Sequence, residues 1–274
     1  MDLEIGMMFW AGRDTLSDVR GVGVATGQLG IGPDVELTPA FTTEWKSALA
    51  RENFRVLTVV AAYEGEDYAD IPTVQRTVGF IPVATREARE RRTLAISDFA
   101  AELGVKSIGC HIGFVPEHAS DSGYVAVRDM VRRVCDHAAR RGQTFALETG
   151  QEPAGTLLQF IKDTDRPNLK INFDPANMIL YGTGDPIEAF ERLAAHVVSV
   201  HAKDGDWPPR DQPGSLGSER RLGDGAVGMK RFVEVMRRTG YRGTVNVERE
   251  IADQAQRLAD IRYAVKLLRE LTNA

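Results

Sequence analysis

Glu148, Asp174, His201 and Glu248 each close a short run of strand-forming residues: Phe145-Ala146-Leu147-Glu148, Ile171-Asn172-Phe173-Asp174, Val198-Ser199-Val200-His201 and Val245-Asn246-Val247-Glu248. Three carboxylates and one imidazole make a hard, oxygen-rich donor set suited to Mn²⁺, Mg²⁺ or a similar divalent ion. Side chains two apart on a strand share a face. If the four candidate ligands point one way, Ala146, Asn172, Ser199 and Asn246 point with them, while Phe145, Phe173, Val200 and Val247 point the other way. The first set is small or polar and the second large and apolar, the pattern of a wall between a polar cavity and a packed core. Carboxylates gathered without a cation repel one another and have raised pKa values, so a bound divalent ion is the simplest stabiliser.

Other residues near these strand ends could contribute. His111 shares a strand face with Ser107 and Gly109 and is expected to look into the same cavity, as a substrate hydrogen-bond partner or proton shuttle; the alternative is a histidine satisfied by the Pro116-Glu117 loop. Lys203 lies two residues past His201 on the cavity side and could hold a substrate oxygen, or form a salt bridge that orders its loop. Trp10 and Trp207 could offer apolar faces to a polyol ring or simply pack at the rim. His137 and His196 read as surface or capping residues, and His118 has no assigned role. Arg210, Arg220 and Arg221 read as solvated loop charge, and Gly223-Asp224-Gly225 as a tight turn rather than a phosphate loop.

The four ligands need a frame that brings strand ends to one place. Short apolar runs alternate with amphipathic helical patterns along the chain, the signature of βα units around a parallel sheet. Strands are expected at about 3–10, 26–31, 55–62, 105–112, 144–148, 169–174, 197–202 and 244–249, and helices at Thr85–Leu103, Gly123–Arg140, Pro153–Thr164, Pro186–Ala195, Met229–Thr239 and Asp253–Leu271. Gly104, Gly142 and Gly240 fit C-terminal helix caps. Glycines at 21, 23, 27, 30 and 32 blur the period of the first two units. Eight strands in 274 residues give an α/β fold, a (β/α)8 TIM barrel in one domain spanning 1–274, whose active face lies at the C-terminal ends of the strands. The long polar segment 207–228 is expected to be a loop over that face.

Composition is that of an ordinary globular protein, 27% charged and 43% hydrophobic. A net charge of −5 speaks against a nucleic-acid partner, and no run approaches the roughly 20 apolar residues of a membrane span. Cys110 and Cys135 form no metal-type pair, and the N-terminus lacks a signal-peptide pattern, so a cytoplasmic location is expected.

The blocks Leu147-Glu148, Asn172-Phe173-Asp174-Pro175-Ala176-Asn177-Met178, Val200-His201-Ala202-Lys203-Asp204, Leu222-Gly223-Asp224-Gly225 and Val247-Glu248 resemble those of the xylose isomerase-like TIM-barrel superfamily, the sugar phosphate isomerase/epimerase family. The resemblance spans essentially the whole chain. It implies one divalent ion, Mn²⁺ first with Mg²⁺, Co²⁺ or Zn²⁺ as alternatives, bound by Glu148, Asp174, His201 and Glu248. By the same resemblance, Glu148 and Glu248 would also serve as acid/base catalysts on a ketose or related hydroxy-carbonyl compound, through an enediolate. Asn177, where many ketose 3-epimerases carry histidine, is expected near the substrate. A lyase acting on an inosose or keto-glycoside is the alternative. A DNA-repair endonuclease with three zinc ions shares the superfamily, but the extra histidines it needs are missing at Asn177 and after Gly223-Asp224-Gly225. The expected partner is a small carbohydrate or polyol-derived molecule, and homo-oligomerisation is plausible by resemblance alone.

Overall fold

The structure, a computed structural model, describes residues 3–273. Its strands are β1 (Glu4–Trp10), β2 (Thr26–Ile31), β3 (Arg55–Ala61), β4 (Ser107–Cys110), β5 (Thr144–Glu148), β6 (Leu169–Phe173), β7 (Val197–Ala202), β8 (Asp204–Asp206), β9 (Ser218–Arg220) and β10 (Thr244–Val247). All but β8 and β9 form one closed parallel barrel in the order β1-β10-β7-β6-β5-β4-β3-β2. Closure is the pairing of the first strand with the last, from Glu4 opposite Thr244 to Met7 opposite Val247. The expected eight-stranded barrel is therefore present, each strand within about two residues of its expected position.

Helices fill the outside: α1 (Leu16–Gly21), α2 (Pro39–Arg51), α3 (Ile71–Thr77), α4 (Val83–Glu102), α5 (Ser122–Ala139), α6 (Ala154–Thr164), α7 (Pro175–Tyr181), α8 (Pro186–Leu193), α9 (Met229–Arg238) and α10 (Gln254–Asn273). Asp or Thr side chains cap the first turns of several, among them Asp121 on α5 and Asp185 on α8, and satisfy otherwise orphaned N–H groups. The three expected closing glycines hold positive φ, 77° at Gly104, 64° at Gly142 and 72° at Gly240, as a left-handed cap requires.

The main core lies between barrel and helices. Phe173 on β6 meets Phe190 of α8 edge-on at 5.1 Å and stacks on Phe232 of α9 at 5.8 Å. All three rings are fully buried, and each burial is worth about 2 kcal/mol before entropy is counted. Their outward direction fixes the inward direction of their neighbours, as the alternation required. Inside the barrel lie buried polar groups instead: Gln28, Asn172, Ser199, His201 and Asn246.

Two features depart from the sequence expectations. Asp174 and Glu248 stand just beyond their strands, because Asp174 has turned into the cap of α7 and pairing of β10 ends at Val247. The segment after the seventh barrel strand is not a plain loop. Its β9 pairs antiparallel with β8, Asp204 opposite Arg220, Gly205 opposite Glu219 and Asp206 opposite Ser218. Asp204 organises the turn that follows by accepting N–H groups from Gly223 (2.9 Å) and Val227 (3.1 Å), so Gly223-Asp224-Gly225 is the expected tight turn.

Candidate metal centre

His201, fully buried on β7, turns Nδ1 toward three carboxylates and Nε2 toward the barrel interior. Nε2 lies 2.6 Å from Gln28 Oε1 and 2.9 Å from Asn172 Nδ2. With its proton on Nε2 the ring donates to Gln28 and leaves Nδ1 bare, the tautomer a metal ligand needs. Asn172 Oδ1 in turn accepts from Gln28 Nε2 at 3.1 Å and from the Ser199 hydroxyl. The pairing register shifts at two places in the barrel, between Gly27 and Gln28 and between Ile171 and Asn172. These irregularities fall on the residues that support the imidazole, a common use of local strand distortion beside a site.

Around Nδ1 stand Glu248 Oε2 at 3.0 Å, Glu148 Oε1 at 3.2 Å and Asp174 Oδ2 at 3.7 Å. One ligand atom from each of the four residues lies within 4.8 Å of all the others. Asp174 divides its carboxylate. Oδ1 accepts N–H groups from Ala176 (2.8 Å) and Asn177 (3.0 Å) at the start of α7, whereas Oδ2 is buried without a hydrogen-bond partner. His201 Nδ1 is likewise buried without a well-aligned partner. Two orphaned polar atoms aimed at a common point, flanked by two glutamates, fit a divalent cation.

Charge balance without an ion depends on neighbouring bases. Burial alone would raise the Glu148 pKa, but the His111 and His201 imidazoles reverse this and hold it well below the ordinary carboxylate range. Glu248, where burial also opposes ionisation, is held down to about 2 by His201 and Lys203. Burial raises Asp174 and the Glu248 charge adds to the effect. The price falls on the bases: despite burial, Glu248 and Glu148 raise His201 well above the ordinary histidine value.

Above this floor opens a cavity of about 390 Å³. His111, one residue past β4, lines it with Nε2 3.2 Å from Glu148 Oε1, while its Nδ1 lies 3.0 Å from the Gln151 side-chain amide. Gln151 is its partner, in place of the Pro116-Glu117 loop. Burial works against a charged His111, but Glu148 and then Glu66 raise its pKa to about 9. Lys203 also faces the cavity and is bound at Nζ by Glu250 (2.5 Å) and Glu248 (3.1 Å), with Asp174 at 3.9 Å. Trp10 forms one wall. A Cβ on Gly30 would sit 2.4 Å from its indole, so glycine there makes room for the ring.

A profile of the xylose isomerase-like TIM-barrel family matches residues 18–271. The chain belongs to that family. It superposes with a TM-score of 0.94 on a xylose isomerase domain protein from Planctomyces limnophilus, at 41% identity over 98% of this chain and 97% of that one. A D-tagatose 3-epimerase-like protein has the same fold at a TM-score of 0.74 and 18% identity, covering 99% and 97%. So does a xylose isomerase-like TIM-barrel protein from Mycobacterium smegmatis in complex with magnesium, at 0.68 and 18%, covering 94% and 88%. An uncharacterised protein of Methanocaldococcus jannaschii is 24% identical over 161 residues, 54% of this chain and 52% of its own, so the chain spans about half the length of that curated relative.

Within this xylose isomerase-like barrel, the four expected ligands, His111, Lys203, Asn177 and Trp10 converge. Asn177 donates from Nδ2 to Glu148 Oε1 at 3.1 Å and lines the cavity. Trp207 does not join them: it stands just past β8, 46% exposed and away from the cavity lining. Arg220 and Arg221 pair with Asp206 and Asp224, as solvated loop charges would. His137 pairs at 2.8 Å with Asp98 near the end of α5, and His196 ends a 3-10 turn, both consistent with structural roles. The sequence reading missed Gln28, Gln151, Tyr68 and Glu250. Glu250 carried a usable signal, lying two residues past Glu248 as Lys203 lies past His201. Tyr68, whose ring is 6.0 Å from that of His111, carried none.

Proposed function

We propose that this chain is a divalent-metal-dependent isomerase or epimerase of a small hydroxy-carbonyl polyol, with Glu148 and Glu248 as its acid/base pair. The observation that carries this reading is the placement of the two glutamates. They stand at the ends of β5 and β10, separated by two strands around the barrel, and both approach His201 Nδ1 within 3.2 Å at the floor of a cavity. Glu148, Asp174, His201 and Glu248 would hold a divalent ion, Mn²⁺ by expectation, which would supply the Lewis acidity that a carbon next to a carbonyl needs to lose a proton.

The residues divide the remaining work. Glu248, kept ionised by His201 and Lys203, takes the proton at Oε1, since Oε2 is occupied by Lys203 at 3.1 Å and faces His201 Nδ1 at 3.0 Å. Glu148, likewise ionised at rest, serves the other side by passing to the carbon the proton it first takes from the His111 Nε2–H, 3.2 Å from its Oε1. Asn177 fixes the Glu148 carboxylate, and Trp10 and Tyr68 wall the cavity and restrict water. Cys110 and Cys135 are buried free thiols, which supports a reducing, cytoplasmic setting. Among the described residues no helix is long and apolar enough to cross a membrane.

The test is solvent deuterium exchange in Mn²⁺ with ketoses, hydroxypyruvate, inososes and keto-glycosides. Exchange with inversion identifies an epimerase, a moved carbonyl an isomerase, and loss of water or an aglycone the lyase. Glu148→Gln and Glu248→Gln should each lower kcat by about 10²–10⁴ while the fold remains. Asp174→Ala and His201→Ala should lose the ion. Full metal content in both of these, or no exchange with any carbonyl compound, removes the reading.

A further inference from the structure

The cavity carries more acid than its metal donors account for. Beside Glu148 and Glu248, its wall includes Glu66, Glu219 and Glu250. Against them stand Lys203, 4% exposed and already engaged by Glu250, Glu248 and Asp174, and His111, engaged by Glu148 at 3.2 Å. Among the described residues no arginine lines this cavity. Arg249, next to the rim in sequence, is turned to Glu219 and Asp260, each at 2.9 Å. Glu66 accepts N–H groups on both oxygens, from Gly79 at 2.8 Å and Tyr63 at 3.0 Å, and Glu219 accepts the Glu250 N–H at 3.0 Å. The three rim acids are thus fixed in place by the backbone or by Lys203.

The two charges of an ion in the floor would be more than offset by its three carboxylate donors, so a phosphate or carboxylate lying beside Glu66, Glu219 and Glu250 would give up hydration, meet fixed negative charge at short range and find no unpaired guanidinium, ammonium or imidazolium to receive it. Hydroxyl and ammonium groups meet the opposite situation, since carboxylate oxygens are acceptors only and prefer charged or polar donors. At about 390 Å³ the space is at the small end for ligand sites, suiting a single ring or short polyol. Resting on the function proposed above, we infer that the substrate is a non-anionic, unphosphorylated polyol of about monosaccharide size, and that Glu66, Glu219 and Glu250 reject phosphorylated and acidic sugars.

The experiment is calorimetric titration of the Mn²⁺-loaded full chain with free ketopentoses, ketohexoses and inososes. The best neutral ligand is then compared with its phosphate ester, its carboxylate and its amino-deoxy analogue at low and high salt. The phosphate ester and the carboxylate should bind at least about tenfold more weakly than the parent, the gap should shrink as salt screens the rim, and the amine should bind at least as well. In Glu219→Gln and Glu250→Gln, checked for fold by circular dichroism, the gap should narrow several-fold. Equal or tighter binding of the phosphate ester, no binding by any neutral compound, or an unchanged gap in both variants overturns the assignment. Deuterium exchange in the same samples separates the two readings. A neutral ligand that binds without exchange sinks the acid/base role and leaves the charge assignment standing; a phosphate ester that binds and exchanges as well as its parent does the reverse.

Discussion

Gln28 does not line the cavity, yet its Oε1 governs which nitrogen of His201 carries the proton. Replacing it with leucine removes the acceptor for Nε2–H and frees the ring to choose the wrong tautomer. Gln28→Leu should therefore weaken Mn²⁺ binding by about 10–100-fold at unchanged secondary structure, measured by competition with a metallochromic chelator. Unaltered affinity would mean that a bare Nδ1 does not depend on the Gln28 acceptor. His111 sets a pH dependence of its own. Its pKa is raised to about 9 in the folded chain, so the stability it contributes is complete below about 6.5, its ordinary value, and is lost as pH rises through about 9. Metal-free protein should lose up to roughly 3 kcal/mol over that window from this residue. Denaturant titrations of His111→Gln between pH 6 and 10 should show a correspondingly flatter fall; superimposable curves would refute the coupling to Glu148.

At the scale of elements, β2 shows how a strand can be shaped by the site rather than by propensity. Gly30 leaves space for the Trp10 ring, and a branched side chain there must push the indole into the cavity or distort the sheet. Gly30→Val is expected to raise KM, cost about 1–3 kcal/mol of stability and leave metal stoichiometry at wild type; unchanged KM would remove Trp10 from the substrate wall. The same glycines hid Gln28 from sequence reading, since they weaken the strand pattern around it. The later strands were legible because Phe145, Phe173, Val200 and Val247 alternate cleanly with inward polar residues, and the four ligands sit at fixed places in that alternation. Four helices were not legible. No residue of α2 is fully buried, so it lacks a strong apolar stripe, whereas α7 is buried on nearly every side and lacks a polar one. The short α1 and α3 offer too few turns for a period to emerge. Trp207 stands outside the cavity lining because its position depends on β8 pairing with β9, two three-residue strands with no composition to announce them.

Across the whole molecule, the barrel closes only when β1 pairs with β10, and the core around it is shared by helices from both ends of the chain. Limited proteolysis should give one cooperative loss of intact protein, monitored by gel and mass spectrometry; two halves that each persist as stable fragments would contradict a single folding unit. The polar cluster beneath the site crosses this closure, joining Gln28 of β2 to Asn172 of β6 and His201 of β7. All four metal donors lie between residues 148 and 248, whereas the group that orients their imidazole lies near the beginning. On the ribosome, Gln28 emerges early and waits for the donor set, and a second-half fragment would own every ligand yet lack the acceptor that aims one of them. An ion held by these four residues, as proposed above, would therefore find its complete site only after the barrel has closed, and its binding would report closure rather than template it.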